Sequence, residues 1–145
     1  MSEKNIKTIL FADDDWFVDS FVAELQDAGY RVLQTTTGSS TLNTLTNNEV
    51  NLLILDIMMP PGEGLTDSAG GKRTGIRVAE IIRKEMKLSL PIIYMTVISD
   101  EEVLEFLELI EREASQEPRI YVKPVDLDDL LSEVEACLGG LIKSE

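Results

Sequence analysis

Five short apolar runs punctuate the chain, and between them lie longer stretches whose apolar residues recur at helical spacing. The runs are Thr8 to Ala12, Tyr30 to Gln34, Leu52 to Leu55, Pro91 to Met95 and Arg119 to Val122. The run Leu52 to Leu55 has no polar interruption, as a strand buried on both faces of a parallel sheet requires, and it halts at a carboxylate, Asp56. Helical periodicity places Val18, Phe21, Val22, Leu25 and Ala28 on one face of a first helix closed by Gly29. A weaker second helix over Ser39 to Thr46 carries Leu42 and Leu45. The third runs from Gly75 to Lys87 with Val78, Ala79, Ile82 and Met86 inward. The fourth, Asp100 to Ala114, aligns Val103, Phe106, Leu107 and Ile110 on one face. In the fifth, Asp126 is the N-cap, Leu127, Leu130, Leu131, Val134 and Cys137 share a face, and Gly139-Gly140 ends it. Strands alternating with helices predict an α/β fold: a doubly wound (βα)5 domain with a parallel sheet, right-handed crossovers and helices on both faces.

The chain's 145 residues and 43% hydrophobic content fit a single domain over residues 1–145, with its core over about 6–140. Its net charge of −14 repels phosphate backbones and so disfavours direct binding of nucleic acid. No apolar run reaches the length of a membrane span and the first residues lack a signal-peptide pattern, so the expectation is a cytoplasmic protein with no membrane partner. One cysteine and no histidine argue against a disulfide framework and against zinc. Cys137, on an apolar helix face, reads as an inert core thiol.

In a doubly wound sheet, ligands bind at the carboxyl ends of the strands, where the strand order reverses. With strands one, three and four central, Asp13 and Asp14, then Asp56, Thr96 and Lys123, converge on one rim. Clustered carboxylates repel one another unless a cation is present, and magnesium favours one or two carboxylates together with water and a phosphate. A carboxylate can itself be the nucleophile that takes up phosphate. The set therefore points to Mg2+ and a phosphoryl group, with an ammonium and a hydroxyl to neutralise charge on the phosphoryl oxygens.

Five motifs in order, ILFADDD, AGY, LLILDIMMP, PIIYMT and YVKP, resemble the receiver domain of bacterial two-component response regulators over essentially the whole chain. The resemblance implies a flavodoxin-like sheet of order 2-1-3-4-5. It also implies Asp56 as phosphoacceptor, and a Mg2+ site made by Asp13, Asp14, Asp56 and the backbone carbonyl of Met58. Lys123 would then pair with the phosphoryl oxygens, and Thr96 would move to hydrogen-bond them. It implies a phosphohistidine donor on a sensor histidine kinase or histidine phosphotransfer protein, and a downstream protein target or effector domain. Because this chain has no histidine, the donor is another molecule. Such a domain is not an enzyme in the ordinary sense; it assists only its own phosphorylation and dephosphorylation. The chain is then either a single-domain regulator or a receiver from a longer protein.

Departures from the pattern are specific. Val97 replaces the usual small residue after the strand-four hydroxyl, and would narrow the approach to Asp56. Ile120 holds the position of the usual aromatic switch, with Tyr121 one place later and so on the opposite face of the strand. Trp16 falls where many receivers have proline. About ten residues, 65–74, form an inserted loop whose Lys72 and Arg73 are candidate phosphoryl or donor contacts, set against a mobile surface loop. The GGKRT segment is not a P-loop, since Thr66 stands where the first glycine is required and Arg73 where a Ser or Thr is required. Leu104 and Leu109 lie off the buried face of helix four, amid Asp100, Glu101, Glu102, Glu105, Glu108 and Glu111, a candidate partner surface. Met58 and Ile98 are apolar and poorly suited to orienting an attacking water, which predicts slow self-dephosphorylation. Two other readings remain open: a pseudo-receiver that ignores phosphate, and an aspartate phosphohydrolase of the haloacid dehalogenase type. The latter needs Thr or Val where this chain has Phe17.

Overall fold

The apolar runs become five parallel strands in a computed structural model that describes residues 6–15, 17–65, 74–97 and 101–139. They are β1 (Thr8–Ala12), β2 (Arg31–Thr35), β3 (Leu52–Asp56), β4 (Ile92–Thr96) and β5 (Ile120–Val122), ordered β2-β1-β3-β4-β5 as the resemblance implies. Every residue of β1, β3 and β4 is buried, whereas the edge strands β2 and β5 are partly exposed. Trp16, Lys72, Arg73, Ile98, Asp100 and Gly140 lie outside the described residues.

Side-chain alternation divides the sheet into two apolar faces. Leu10, Leu53, Leu55 and Tyr94 face one layer with α2 (Gly38–Asn47), α3 (Thr74–Glu80) and α4 (Glu101–Glu113). Phe11, Leu52, Ile54 and Met95 face the other with α1 (Val18–Asp27) and α5 (Leu127–Leu138). Burying both faces fixes register, because a slip of one residue would exchange every side chain between layers. Ala12 is thereby set beside Leu55, and Asp56 beside Met95, which brings the strand exits to one rim.

Local chemistry sets the helix ends. The Thr37 hydroxyl accepts the Ser40 N–H and the Ser40 hydroxyl accepts the Thr37 N–H, a capping box that starts α2. Asp126 caps α5 by accepting from the Asp128 and Asp129 amides, as its sequence position predicts. Gly75 donates its N–H to the Ile57 carbonyl at 2.8 Å, and a Cβ there would lie 2.4 Å from Ile57 Cα. Only glycine lets α3 lie this close behind the exit of β3. The helix begins at Thr74, so the last residue assigned to the inserted loop is helical and buried.

Several faces differ from those the periodicity predicts. Ala28 is exposed just past the end of α1, Met86 is half-buried, and Phe106 is 38% exposed. Glu111, which the sequence places among the outward carboxylates of α4, is fully buried. Its oxygens accept from Arg83 Nη2 at 2.7 Å and Nε at 3.0 Å, and from the Tyr94 hydroxyl at 2.5 Å. Arg83 also donates to the Leu88 carbonyl at 2.9 Å. It comes from a π-helical turn, Ile81–Glu85, that continues α3, so this group ties α3, β4 and α4 together beneath the surface. Burial and the Glu111 charge hold the Tyr94 phenol well above its ordinary pKa, so it remains a donor. Periodicity cannot find such a pair, since each partner alone reads as a surface charge. Glu111→Ala, which strands Arg83 in the interior, is expected to cost ~3–5 kcal/mol, and Tyr94→Phe ~1.5–3 kcal/mol, both measured by urea denaturation.

Candidate functional site

At the carboxyl rim, β1 runs directly into Asp13, whose N–H still bonds the Thr35 carbonyl of β2 at 3.0 Å. That ladder bond turns the Asp13 side chain inward and leaves the residue 3% exposed. Its Oδ1 accepts the Asp15 N–H at 2.9 Å, which folds the loop back over the rim. On the neighbouring strand, Asp56 ends β3, also 3% exposed, and its Oδ1 accepts the Met58 N–H at 3.1 Å. Thr96 ends β4, fully buried. The Lys123 N–H bonds the Thr96 carbonyl at 2.7 Å, extending the β5 pairing by one residue and carrying the lysine to the same rim. The Lys123–Pro124 peptide that follows is cis.

The lysine ammonium occupies the centre of the site. Lys123 Nζ lies 2.7 Å from Asp15 Oδ2, 3.0 Å from Asp13 Oδ2 and 3.5 Å from Asp56 Oδ1, and 4.9 Å from the centre of the Phe17 ring. Among the described residues, the carboxylates whose oxygens converge within 4.8 Å are Asp13, Asp15 and Asp56. Asp13, Asp56, Thr96 and Lys123 thus stand at the rim where the sequence puts them. Asp14 is exposed and outside the converging set; Asp15 reaches into it instead. Three consecutive aspartates carry no signal that says which of them turns inward, and the Phe17 contact is equally invisible in the sequence.

The electrostatics follow from one ammonium serving three carboxylates. Burial, then the charge of Asp13, pushes Asp56 up to about 7 against the pull of Lys123 and the Met58 amide. Burial also raises Asp13. For Lys123, burial works to lower the pKa, but the hydrogen bond to Asp15 and the charges of Asp56 and Asp13 outweigh it and the result is raised. Asp13 Oδ2 is an ion-pair neighbour of Lys123 by distance yet has no directed hydrogen bond. A buried oxygen left in that condition, among hard anionic donors short of positive charge, fits a small divalent cation such as Mg2+.

The surroundings bear on access and switching. Val97 is 59% exposed beside the site. Ile120 is paired with Tyr94 across β4 and β5 and packs in the layer that holds α3 and α4. Tyr121 packs in the opposite layer, where its hydroxyl donates to Glu133 on α5 at 2.7 Å. Arg119 Nε donates to the other Glu133 oxygen at 3.2 Å.

A carboxyl whose folded pKa is raised holds a proton that the unfolded chain has already released. Stability from Asp56 is therefore fully present below about pH 3.9, the unfolded value, and is lost as pH rises through its folded pKa of about 7. In chelator, Asp56→Asn is expected to remove this slope. At pH 8 it should raise Tm by roughly 3–8 °C, the effect of ~1–2 kcal/mol in a domain of this length, with the gain fading toward pH 4. Thermal melts of both proteins across that range check it.

Comparison with known proteins agrees with this fold. The response regulator receiver domain family matches residues 9–135. Regulatory protein VanRB of Enterococcus faecalis is 31% identical over 144 residues, covering 96% of this chain and 56% of that protein. The transcriptional regulatory protein YbdJ of Bacillus subtilis, itself uncharacterized, is 30% identical over 125 residues, covering 85% and 47%. The chain thus spans about half the length of the curated relatives it matches. A CheY-like receiver from Methanospirillum hungatei shares the fold with a TM-score of 0.73 at 24% identity, over 93% of this chain and 95% of that one. The BeF3-activated DrrB receiver domain superposes with a TM-score of 0.67 at 26% identity, over 93% and 99%. No helix among the described residues is long and apolar enough to cross a membrane. The motif match across both ends of the sheet, joined to an acidic rim completed by Lys123, makes this chain a member of the response regulator receiver domain family, signalling modules of two-component systems.

Proposed function

We propose that this receiver takes a phosphoryl group onto Asp56 and signals to a protein partner through the resulting change at its rim. The observation that carries the reading is the placement of Lys123 Nζ within 3.5 Å of Asp56 and 3.0 Å of Asp13. A carboxylate oxygen of Asp56 attacks phosphorus, the phosphorus–nitrogen bond of a phosphohistidine breaks, and the departing imidazole nitrogen accepts a proton. The acyl phosphate remains on the protein. Lys123 neutralises charge on the transferred oxygens, and Thr96, already behind the site at the end of β4, donates its hydroxyl to one of them.

Asp13, Asp14, Asp56 and the Met58 backbone carbonyl would hold Mg2+, with Asp14 turning in from the exposed loop. Bound there, the ion supplies positive charge to the phosphoryl oxygens. The donor class is a sensor histidine kinase or histidine phosphotransfer protein, and the output is a protein target or an effector domain, in a cytoplasmic setting. Residues 6–140 act as one receiver unit. Met58, half-buried and apolar, does not orient water toward Asp56, so the phosphorylated form decays slowly. With Tyr121 tied to Glu133 and Ile120 in the switch position, Thr96 communicates with α4 without an aromatic rotation.

Incubation with Mg2+ and acetyl phosphate is expected to add the mass of one phosphoryl group to the native protein and none to Asp56→Asn. Chelator abolishes the addition, and Lys123→Gln slows it by about 100-fold. Intact-mass measurement over time checks this. Equal labelling of Asp56→Asn would overturn the assignment.

A further inference from the structure

The shortest ion pair of Lys123 is not with the carboxylate it is expected to serve. Nζ is 2.7 Å from Asp15 Oδ2 in a hydrogen bond, against 3.5 Å from Asp56 Oδ1. The lysine side chain is 6% exposed and that of Asp15 is 43% exposed, so the carboxylate reaches in from the loop while the ammonium stays over the site. Two further bonds hold the loop in this pose. The Asp15 N–H donates to Asp13 Oδ1 at 2.9 Å, and the Asp15 carbonyl accepts the Val18 N–H, at 3.4 Å, at the start of α1. Phe17, two residues on, lays its ring 4.9 Å from the same ammonium. The β1–α1 loop thus holds Lys123 from two sides.

We infer that Asp15 is a positioning residue that latches Lys123 in the unphosphorylated protein and competes with the incoming phosphoryl group for its N–H donors. The inference rests on the phosphoacceptor reading and adds a residue that the receiver resemblance does not assign. An ammonium has three donors and no acceptor, so any strong partner reduces what remains for another. Asp15 and Asp13 already stand at hydrogen-bonding distance, and Asp56 is the more distant third. A phosphoryl group on Asp56 brings more negative charge than the carboxylate it replaces, and Lys123 offers it a second N–H donor by exchanging Asp15 for a phosphoryl oxygen. That exchange frees the Asp15 carboxylate and removes one of the two contacts by which the loop holds Lys123. The latch thereby sets how readily the site loads and gives the β1–α1 loop a different set of contacts in each state.

The test uses beryllofluoride as the phosphoryl probe at saturating Mg2+, followed by backbone amide NMR, in the native protein, Asp15→Asn, Lys123→Gln and the double variant. Asp15→Asn is expected to tighten beryllofluoride binding three- to tenfold, and the gain is expected to vanish in the Lys123→Gln background. Asp15→Glu, which keeps the charge and can re-form the pair, is expected to return affinity toward the native value. The Lys123 side-chain NH3+ resonance in the ligand-free protein should shift or exchange faster in Asp15→Asn. An equal gain without Lys123 would make the effect one of general charge and overturn the latch, as would an unchanged NH3+ resonance. A tenfold or greater loss of Mg2+ affinity in Asp15→Asn, with no gain for beryllofluoride, would make Asp15 a metal ligand instead. Failure of both native protein and Asp15→Asn to bind beryllofluoride, with Mg2+ still bound, would defeat the phosphoacceptor reading and with it the competition.

Discussion

Charge balance at the carboxyl rim governs the arrangement of this protein. Asp13 and Asp56 are buried side by side, which costs free energy unless positive charge is brought to them, and Lys123 from the last strand is the cation that the described residues provide. Bringing it there takes the whole sheet, since β1, β3, β4 and β5 must align in register for their exits to meet. The fully apolar central strands are what make that register unique. The balance is nevertheless incomplete: one ammonium faces Asp13, Asp15 and Asp56, so the site retains an excess of negative charge and a buried oxygen without a directed hydrogen bond.

A second buried ion pair shows what a satisfied one looks like. Arg83 meets Glu111 through two donors, the Tyr94 hydroxyl adds a third bond to the carboxylate, and the Leu88 carbonyl takes another guanidinium N–H. Nothing there calls for a ligand, and the group fastens α4 to the sheet near its C-terminal end. Both clusters are ionic and buried; completeness separates the interior one from the one at the rim. Tyr94 links the two, because it stands two residues before Thr96 on the same face of β4. The tie to α4 through Tyr94 and Glu111 therefore lies in the middle of β4, two residues from the rim.

The fifth strand determines how the receiver differs from the usual pattern. Alternation sends Ile120 toward α3 and α4, and Tyr121 toward α5 and Glu133. An aliphatic side chain packed beside Tyr94 has no polar tip to move between core and solvent.

The strands, the helix layers and the placement of Asp13, Asp56, Thr96 and Lys123 at one rim were legible in the sequence. Periodicity of two or 3.6 and an abrupt polar residue at the end of an apolar run are local signals, and a parallel sheet turns them into a shared rim. The inward turn of Asp15 rather than Asp14 was not legible, because adjacent identical residues differ only in how the loop folds on the Asp13 carboxylate. Nor was the burial of Glu111, which depends on Arg83 arriving from 28 positions earlier in the chain. Sequence alone decided which residues could meet at the rim, through local pattern and chain topology. Tertiary structure decided which charges actually pair, because a charged side chain chooses its partner by distance and desolvation, and neither is a property of its neighbours in the chain.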